Sequence, residues 1–98
     1  MNNTKTLHLL RLSPFTNNDM LLCNENLMLN DSVVLLDDGC YTLNHPLLNK
    51  LQIKCDNIFI IEQHALARGL SLKNNIQAID ITTLNQFVFE HKNSVTWQ

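Results

Sequence analysis

Short runs of apolar residues recur along the chain and predict the strands of a buried sheet. Four runs stand out, covering residues 7–12, 32–36, 58–61 and 76–81. Near-continuous apolar runs of this length are typical of strands that are buried on both faces, as in a parallel sheet. A shorter segment at 94–97 predicts a last strand at the edge of that sheet.

The segment after the first run carries the signals of a helix. Thr16, followed three residues later by Asp19, matches a capping box and predicts a first helix that runs to about residue 28. One broad apolar face of this helix would consist of Met20, Cys23, Leu27 and Met28.

Three further helices are expected between the later runs. Pro46 suits a first helical turn and predicts a short helix over 46–51. A third helix over 63–68 has Gly69 well placed just beyond its end, where a left-handed residue is common. Thr82 or Thr83 is expected to cap a fourth helix to about residue 91, and the residues it would bury are Leu84, Phe87 and Val88.

Strands and helices therefore alternate from one end of the chain to the other. This order predicts right-handed crossovers and a parallel sheet of four or five strands, flanked by helices. Residues 1–98 contain no linker, repeat or low-complexity segment, so we expect one compact three-layer α/β domain of the flavodoxin-like kind.

The composition suggests a protein that is covered by partners. Charged residues make up 16% of the chain, against about 25% in an average protein. A surface depleted of charge is typical of interface cores, which favours a subunit of a larger assembly. A genome bias that replaces Lys and Glu with Asn would explain the same composition.

Charge and hydropathy exclude two other classes. The net charge of −2 supplies no basic patch, so direct binding of nucleic acid is not expected. No apolar stretch approaches the roughly 18 residues of a membrane span, and the N-terminal segment lacks the apolar core of a signal peptide. We therefore expect a cytoplasmic protein.

Most cofactor motifs are absent from the chain. Two glycines, Gly39 and Gly69, are too few for a phosphate-binding loop. The four histidines show no metal-ligand spacing, and the three cysteines form no CxxC pair. No cofactor and no metal ion are expected, and the cysteines are expected to be free thiols.

The carboxyl ends of the predicted strands are where an open α/β sheet binds ligands. Ser13-Pro14, Asp37-Asp38-Gly39-Cys40 and Glu62-Gln63-His64 follow the first three strands. Asp37 and Asp38 would suit an acid–base pair, although a turn completed by Gly39 is favoured.

Each cysteine has a structural alternative to a reactive role. Cys23 lies at the border of the apolar face of the first helix, where partial exposure is expected. Cys40 sits at the edge of the sheet that suits a reactive thiol, and would equally pack beneath the next loop. Cys55 is expected to be a loop thiol without a role.

Five segments, in order along almost the whole chain, resemble the DsrH/TusB family. They are LHLLRLSPF at 7–15, VVLLDDG at 33–39, ALARGL at 65–70, AIDIT at 78–82 and VTW at 95–97. The resemblance implies a DsrE-type α/β fold and a subunit that is not an enzyme on its own. It also implies TusC-like and TusD-like partners in a dimer of heterotrimers, which passes sulfur through a TusE-like carrier toward 2-thiolation of the wobble uridine of tRNA.

The resemblance leaves two roles open for Cys23. DsrH-like members carry a cysteine eight residues past a Ser-Pro-aromatic motif, and Cys23 lies eight residues past Phe15. Cys23 is therefore a candidate sulfur acceptor, in a DsrH-like complex of sulfur oxidation or a related transfer. Many TusB-like members lack this thiol and are taken as non-catalytic, and we favour the tRNA branch because it is more widespread.

Overall fold

The computed structural model describes residues 5–72 and 75–97. Within these residues the chain forms one sheet of five parallel strands, which confirms the predicted α/β class. The strands are β1 (Thr6–Leu10), β2 (Ser32–Leu35), β3 (Asn57–Ile61), β4 (Gln77–Ile79) and β5 (Asn93–Trp97).

The connections between the strands are helical. They contain α1 (Asp19–Asn26), α2 (Leu48–Lys54), α3 (Glu62–Ala67) and α4 (Ile81–Glu90), and a 3₁₀ helix (Asp37–Asn44) leads from β2 toward α2. The 3₁₀ helix was not expected from the sequence, and α2 begins two residues later than predicted.

The strand order is β4-β3-β2-β1-β5. The chain moves outward from β1 to β4 and then returns to the far side of β1, so the order reverses at β1. Flavodoxin itself has the order 2-1-3-4-5. The likeness to flavodoxin therefore extends to the layers and the parallel strands, but not to the strand order.

The two faces of the sheet are covered unequally. One face packs against α1, α2, α3 and the 3₁₀ helix in the larger core cluster, whereas α4 covers the other face in a smaller cluster. The reason is the return path of the chain. The first three crossovers run in one direction along the sheet, and the crossover from β4 to β5 runs back in the other. Because crossovers are right-handed, the returning one places α4 on the opposite face.

The first helix begins later than its capping-box signal predicts. The amide and hydroxyl of Thr16 both bond the carbonyl oxygen of Ser13, at 3.3 and 3.5 Å, so Thr16 belongs to a turn and is not the cap. The amide of Asp19 is instead satisfied by Asn17 Oδ1 at 2.7 Å. Met28 lies beyond the helix and is 68% exposed, so its predicted burial is wrong.

Helix α4 also has a different start. Asp80 is its N-cap and accepts a hydrogen bond from the amide of Thr83 at 2.8 Å, so the prediction of a threonine cap is wrong. Ile81, which the sequence pattern placed at the end of the fourth strand, is instead the first residue of α4. Leu84 is buried as expected, whereas Val88 is 44% exposed because it flanks the stripe that faces the sheet.

The end of α3 confirms the prediction for Gly69. Its φ angle is +68°, its amide bonds the carbonyl of Leu66, and the amide of Leu70 bonds the carbonyl of Ala65, both at 3.0 Å. These are the two hydrogen bonds of a Schellman motif.

Among the described helices, none is long and apolar enough to cross a bilayer.

Candidate functional site

Polar side chains from three connections meet at the carboxyl edge of the sheet. Arg11 follows β1, and its Nε donates to Oδ2 of Asp37, which follows β2, at 2.9 Å. His64 lies just beyond β3 and accepts a hydrogen bond at Nδ1 from the amide of Asp37, also at 2.9 Å. Asp37 therefore connects the ends of three neighbouring strands, at the position where open α/β sheets bind ligands.

A second ion pair continues this edge. The Nε of Arg68 donates to Oδ1 of Asp38 at 3.0 Å, and its Nη1 donates to the carbonyl oxygen of His64 at 3.1 Å. Asp37 and Asp38 thus pair with different arginines. Because the two pairs are partly open to solvent, they add little to stability. Together these pairs place positive and negative side chains next to one another at this edge of the sheet. We call this surface, formed by Arg11, Asp37, Asp38, His64 and Arg68, the paired-charge edge.

The backbone beneath the paired-charge edge is tightly fitted. Gly39 donates its amide to the carbonyl of Leu36 at 2.9 Å and to the carbonyl of Arg11 at 3.0 Å, which confirms the predicted turn. A Cβ at Gly39 would overlap the carbonyl oxygen of Leu10. Asp37 adopts the left-handed conformation, with φ of 50°, which is uncommon for a residue with a side chain.

The candidate sulfur acceptor Cys23 lies inside the larger core cluster. Its exposed fraction is 0%, so the prediction of partial exposure at the border of the apolar face is wrong. Burial raises the pKa of Cys23 to about 12, and the neighbouring Cys55 and Asp31 add to the effect. The thiolate is the nucleophilic form of cysteine, and this environment keeps Cys23 protonated at neutral pH.

The other two cysteines are buried as well, and each donates a hydrogen bond from its thiol. Cys40 donates to the carbonyl of Leu35 at 3.5 Å, and burial raises its pKa to about 11. Cys55 follows α2 as expected, but its thiol is turned inward and donates to the carbonyl of Asp31 at 2.8 Å. Cys55 therefore joins the connection after α2 to the connection after α1.

We expect all three thiols to resist modification in the folded protein. Burial and the raised pKa values both lower the concentration of reactive thiolate, so reaction with a disulfide reagent at pH 7.5 should be at least about 100-fold slower than in urea. The measurement is a colorimetric thiol count with and without denaturant, and the unfolded chain should give three thiols. Rapid reaction of Cys23 in the folded chain would contradict this placement.

The described residues contain no group of three or more His, Cys, Asp or Glu side chains that could hold a metal ion. His45 contacts the ring of Phe15, and His91 bonds Ser32.

Sequence reasoning missed the pairing roles of Arg11 and Arg68. Their positions just beyond a strand and a helix were the available signal, but the pairing itself depends on which connections the fold brings together.

The fold and this edge define a class of protein: a small three-layer α/β domain with its thiols inside and paired charges at the carboxyl edge of its sheet. The family profile described as "DsrH like protein" matches residues 12–94. The chain is also 33% identical over 100 residues to Protein TusB of Buchnera aphidicola subsp. Baizongia pistaciae (strain Bp), across 93% of this chain and 99% of that protein. The chain therefore belongs to the DsrH/TusB family, as its sequence motifs indicated.

Proposed function

We propose that this chain is a structural subunit of a TusBCD-like sulfur-relay complex, which is required for 2-thiolation of the wobble uridine of tRNA to give 5-methylaminomethyl-2-thiouridine. The observation that carries the proposal is the identity of 33% with a protein named TusB, over nearly the full length of both chains. The proposal places the chain in the cytoplasm, where it assembles with TusC-like and TusD-like subunits as a dimer of heterotrimers and delivers sulfur to a TusE-like carrier.

The surface of the chain supports a role as a subunit. Several large apolar side chains are exposed, and the most exposed are Met28, Leu29, Ile53 and Phe89, at 68%, 66%, 81% and 90%. Phe89 lies on α4, the one helix among the described residues that packs in the smaller core cluster. Apolar and aromatic side chains on a surface poor in charge are typical of interface cores.

The interior position of the thiols supports a structural role. A persulfide relay needs a thiolate that an incoming persulfide can reach. Cys23, Cys40 and Cys55 are all buried, with raised pKa values. Under this proposal the sulfur travels on a cysteine of the TusD-like subunit, and this chain shapes the assembly around it. With a net charge of −2, contact with tRNA would be made by other components.

The spacing of Cys23 from Phe15 favours a second candidate function, an active DsrH-like persulfide carrier. Because Cys23 faces the sheet, this function requires α1 to move and expose the thiol. It predicts an adduct of about 32 Da, the mass of one sulfur atom, on Cys23 after incubation with a sulfur donor. If a TusD-like subunit becomes loaded under conditions that leave Cys23 unmodified, this candidate is eliminated.

The decisive experiment is deletion of the gene and quantification of 2-thiouridine derivatives in bulk tRNA by mass spectrometry. We expect deletion to lower thiolation at least tenfold, and complementation with the wild type, Cys23→Ser or Cys23→Ala to restore it. Co-purification with TusC-like and TusD-like chains shows whether each variant assembles.

Two results would change the proposal. Normal thiolation in the deletion strain would remove the tRNA role. If variants that fold and assemble fail to restore thiolation, Cys23 carries sulfur and the structural role is wrong.

A further inference from the structure

A buried polar network ties the last strand to the first. His8 of β1 is 3% exposed, and its two ring nitrogens face different partners. Its Nε2 lies 3.0 Å from Oδ2 of Asp31, and its Nδ1 lies 3.0 Å from Nε1 of Trp97, in β5. The network therefore joins β1, the connection that precedes β2, and the C-terminal strand.

The hydrogen-bonding partners of His8 determine which of its ring nitrogens carries the proton. The indole Nε1–H of Trp97 can only donate, so Nδ1 of His8 must be the acceptor and carries no proton. The single ring proton is then on Nε2, from which it is donated to Asp31. In this arrangement His8 is neutral, and the hydrogen bond to Trp97 exists only while it remains so.

The carboxylate of Asp31 is firmly held. Its Oδ1 accepts from the amide of Thr6 and its Oδ2 from the amide of Met28, both at 3.0 Å. Burial alone would raise the pKa of Asp31, but the hydrogen bonds from His8, Thr6 and Met28 keep it below its usual value. Asp31 thus stays ionised beside His8 and offers a partner to the protonated ring as well as to the neutral one.

Asp31 is the charged group that the structure places in contact with the His8 ring. Neither β2 nor β5, which flank β1, contains an ionisable acid or base. Helix α1, which packs on this face of the sheet, carries Asp19, Glu25 and Cys23, and Glu25 is exposed to solvent. Burial raises the pKa of Cys23 and of Cys55, which follows α2, so both thiols are neutral.

We propose that His8 is a proton-operated latch on the C-terminal edge strand. A proton taken from solvent at Nδ1 turns that atom into a donor that faces the indole N–H, so Trp97 must withdraw, while the imidazolium keeps its bond to Asp31. Strand β5 has β1 as its neighbour and ends the sheet. Release of Trp97 therefore loosens the strand from its carboxyl end.

The chain contains one tryptophan, so its fluorescence reports on the latch directly. Using the full-length protein, we would follow the emission of Trp97 between pH 8 and pH 5, the range in which histidine changes charge. Circular dichroism would show that the fold persists. The matched variants are His8→Gln, which keeps an uncharged donor for Asp31, and His91→Gln, which removes a second histidine adjoining β5.

The wild type and His91→Gln should show one transition, and His8→Gln none. Amide hydrogen exchange in β5 should be about five- to tenfold faster in the wild type than in His8→Gln at pH 5.5, as expected for the loss of one hydrogen bond. If the transition persists in His8→Gln, or if it is absent from the folded wild type, the latch is refuted.

A measurement on the wild type alone covers the case in which His8→Gln fails to fold. Nitrogen-15 NMR of the His8 ring should show Nδ1 unprotonated at pH 8, and the indole N–H resonance of Trp97 should move as Nδ1 gains its proton. A protonated Nδ1 at pH 8 would overturn the proposal.

Discussion

Replacement of Gly39 by alanine is expected to destabilise the protein by about 3 to 5 kcal/mol, near the upper end of single-substitution effects. The added Cβ would overlap the carbonyl oxygen of Leu10 and lie 2.5 Å from its carbon and 3.2 Å from the amide nitrogen of Arg11. All of these are backbone atoms of β1 and its continuation, so no side chain can move aside. Either β1 or the start of the 3₁₀ helix must shift.

Urea unfolding followed by circular dichroism measures this effect, and Gly69→Ala is the matched control. Gly69 has open space around its Cβ position and a φ of +68°, so alanine there costs about 1 kcal/mol through backbone strain alone. If the two variants lose similar stability, the close approach of the connection after β2 to β1 is not the constraint we infer. The paired-charge edge should also be disturbed in Gly39→Ala, because Asp37 lies two residues away.

Replacement of Asp31 by asparagine is expected to destabilise the protein by about 2 to 4 kcal/mol at pH 7. The carboxylate accepts from Thr6 through Oδ1 and from Met28 and His8 through Oδ2. An asparagine must turn its NH₂ group toward one of these two sets of donors. At least one buried N–H then faces another donor, and such a group costs more than a hydrogen bond contributes.

The effect of Asp31→Asn should depend on pH in a definite direction. The pKa of Asp31 is lowered in the folded state, so its contribution is present above about pH 4 and is lost as the pH falls through the folded-state pKa. The stability difference between wild type and Asp31→Asn should therefore narrow on acidification below about pH 4.

The control for Asp31→Asn is Asp38→Asn, whose side chain is 59% exposed in its pair with Arg68. Its expected cost is below about 1 kcal/mol. Equal losses in the two variants, measured by urea unfolding at pH 7, would show that the buried network around Asp31 does not stabilise the fold as its geometry indicates.

The strands were predictable because the signal for them is local. Each apolar run falls on a strand of the parallel sheet, and burial on both faces requires nothing more than consecutive apolar side chains. Gly69 was predictable for the same reason, since a left-handed helix end favours glycine whatever surrounds it.

The helix starts were less predictable because several nearby residues can cap a helix. Thr16 and Asn17 both offer an oxygen near α1, and Asp80, Thr82 and Thr83 compete near α4. The direction in which the chain leaves the preceding strand selects one of them. Similarly, the 3₁₀ helix after β2 follows from the close approach of Gly39 to Leu10, a contact between residues 29 positions apart.

The candidate site was also predictable only where its signal is local in the sequence. The sequence placed Asp37, Asp38 and His64 at the carboxyl edge, because the ends of parallel strands must lie together. It did not pair them with Arg11 and Arg68, since such pairs join separate connections. Its prediction of partial exposure for Cys23 was wrong, because the border of a helical face is buried or exposed according to what packs over it.

The sequence by itself therefore determined the class of fold, the family and the edge of the sheet that carries the polar residues, because each of these is encoded in local runs and motifs. Only the tertiary structure decided that Cys23 is buried and that His8 lies between Asp31 and Trp97. The physical reason is separation along the chain: Trp97 and His8 are 89 positions apart, and their meeting depends on the return of the chain across the whole sheet to place β5 beside β1.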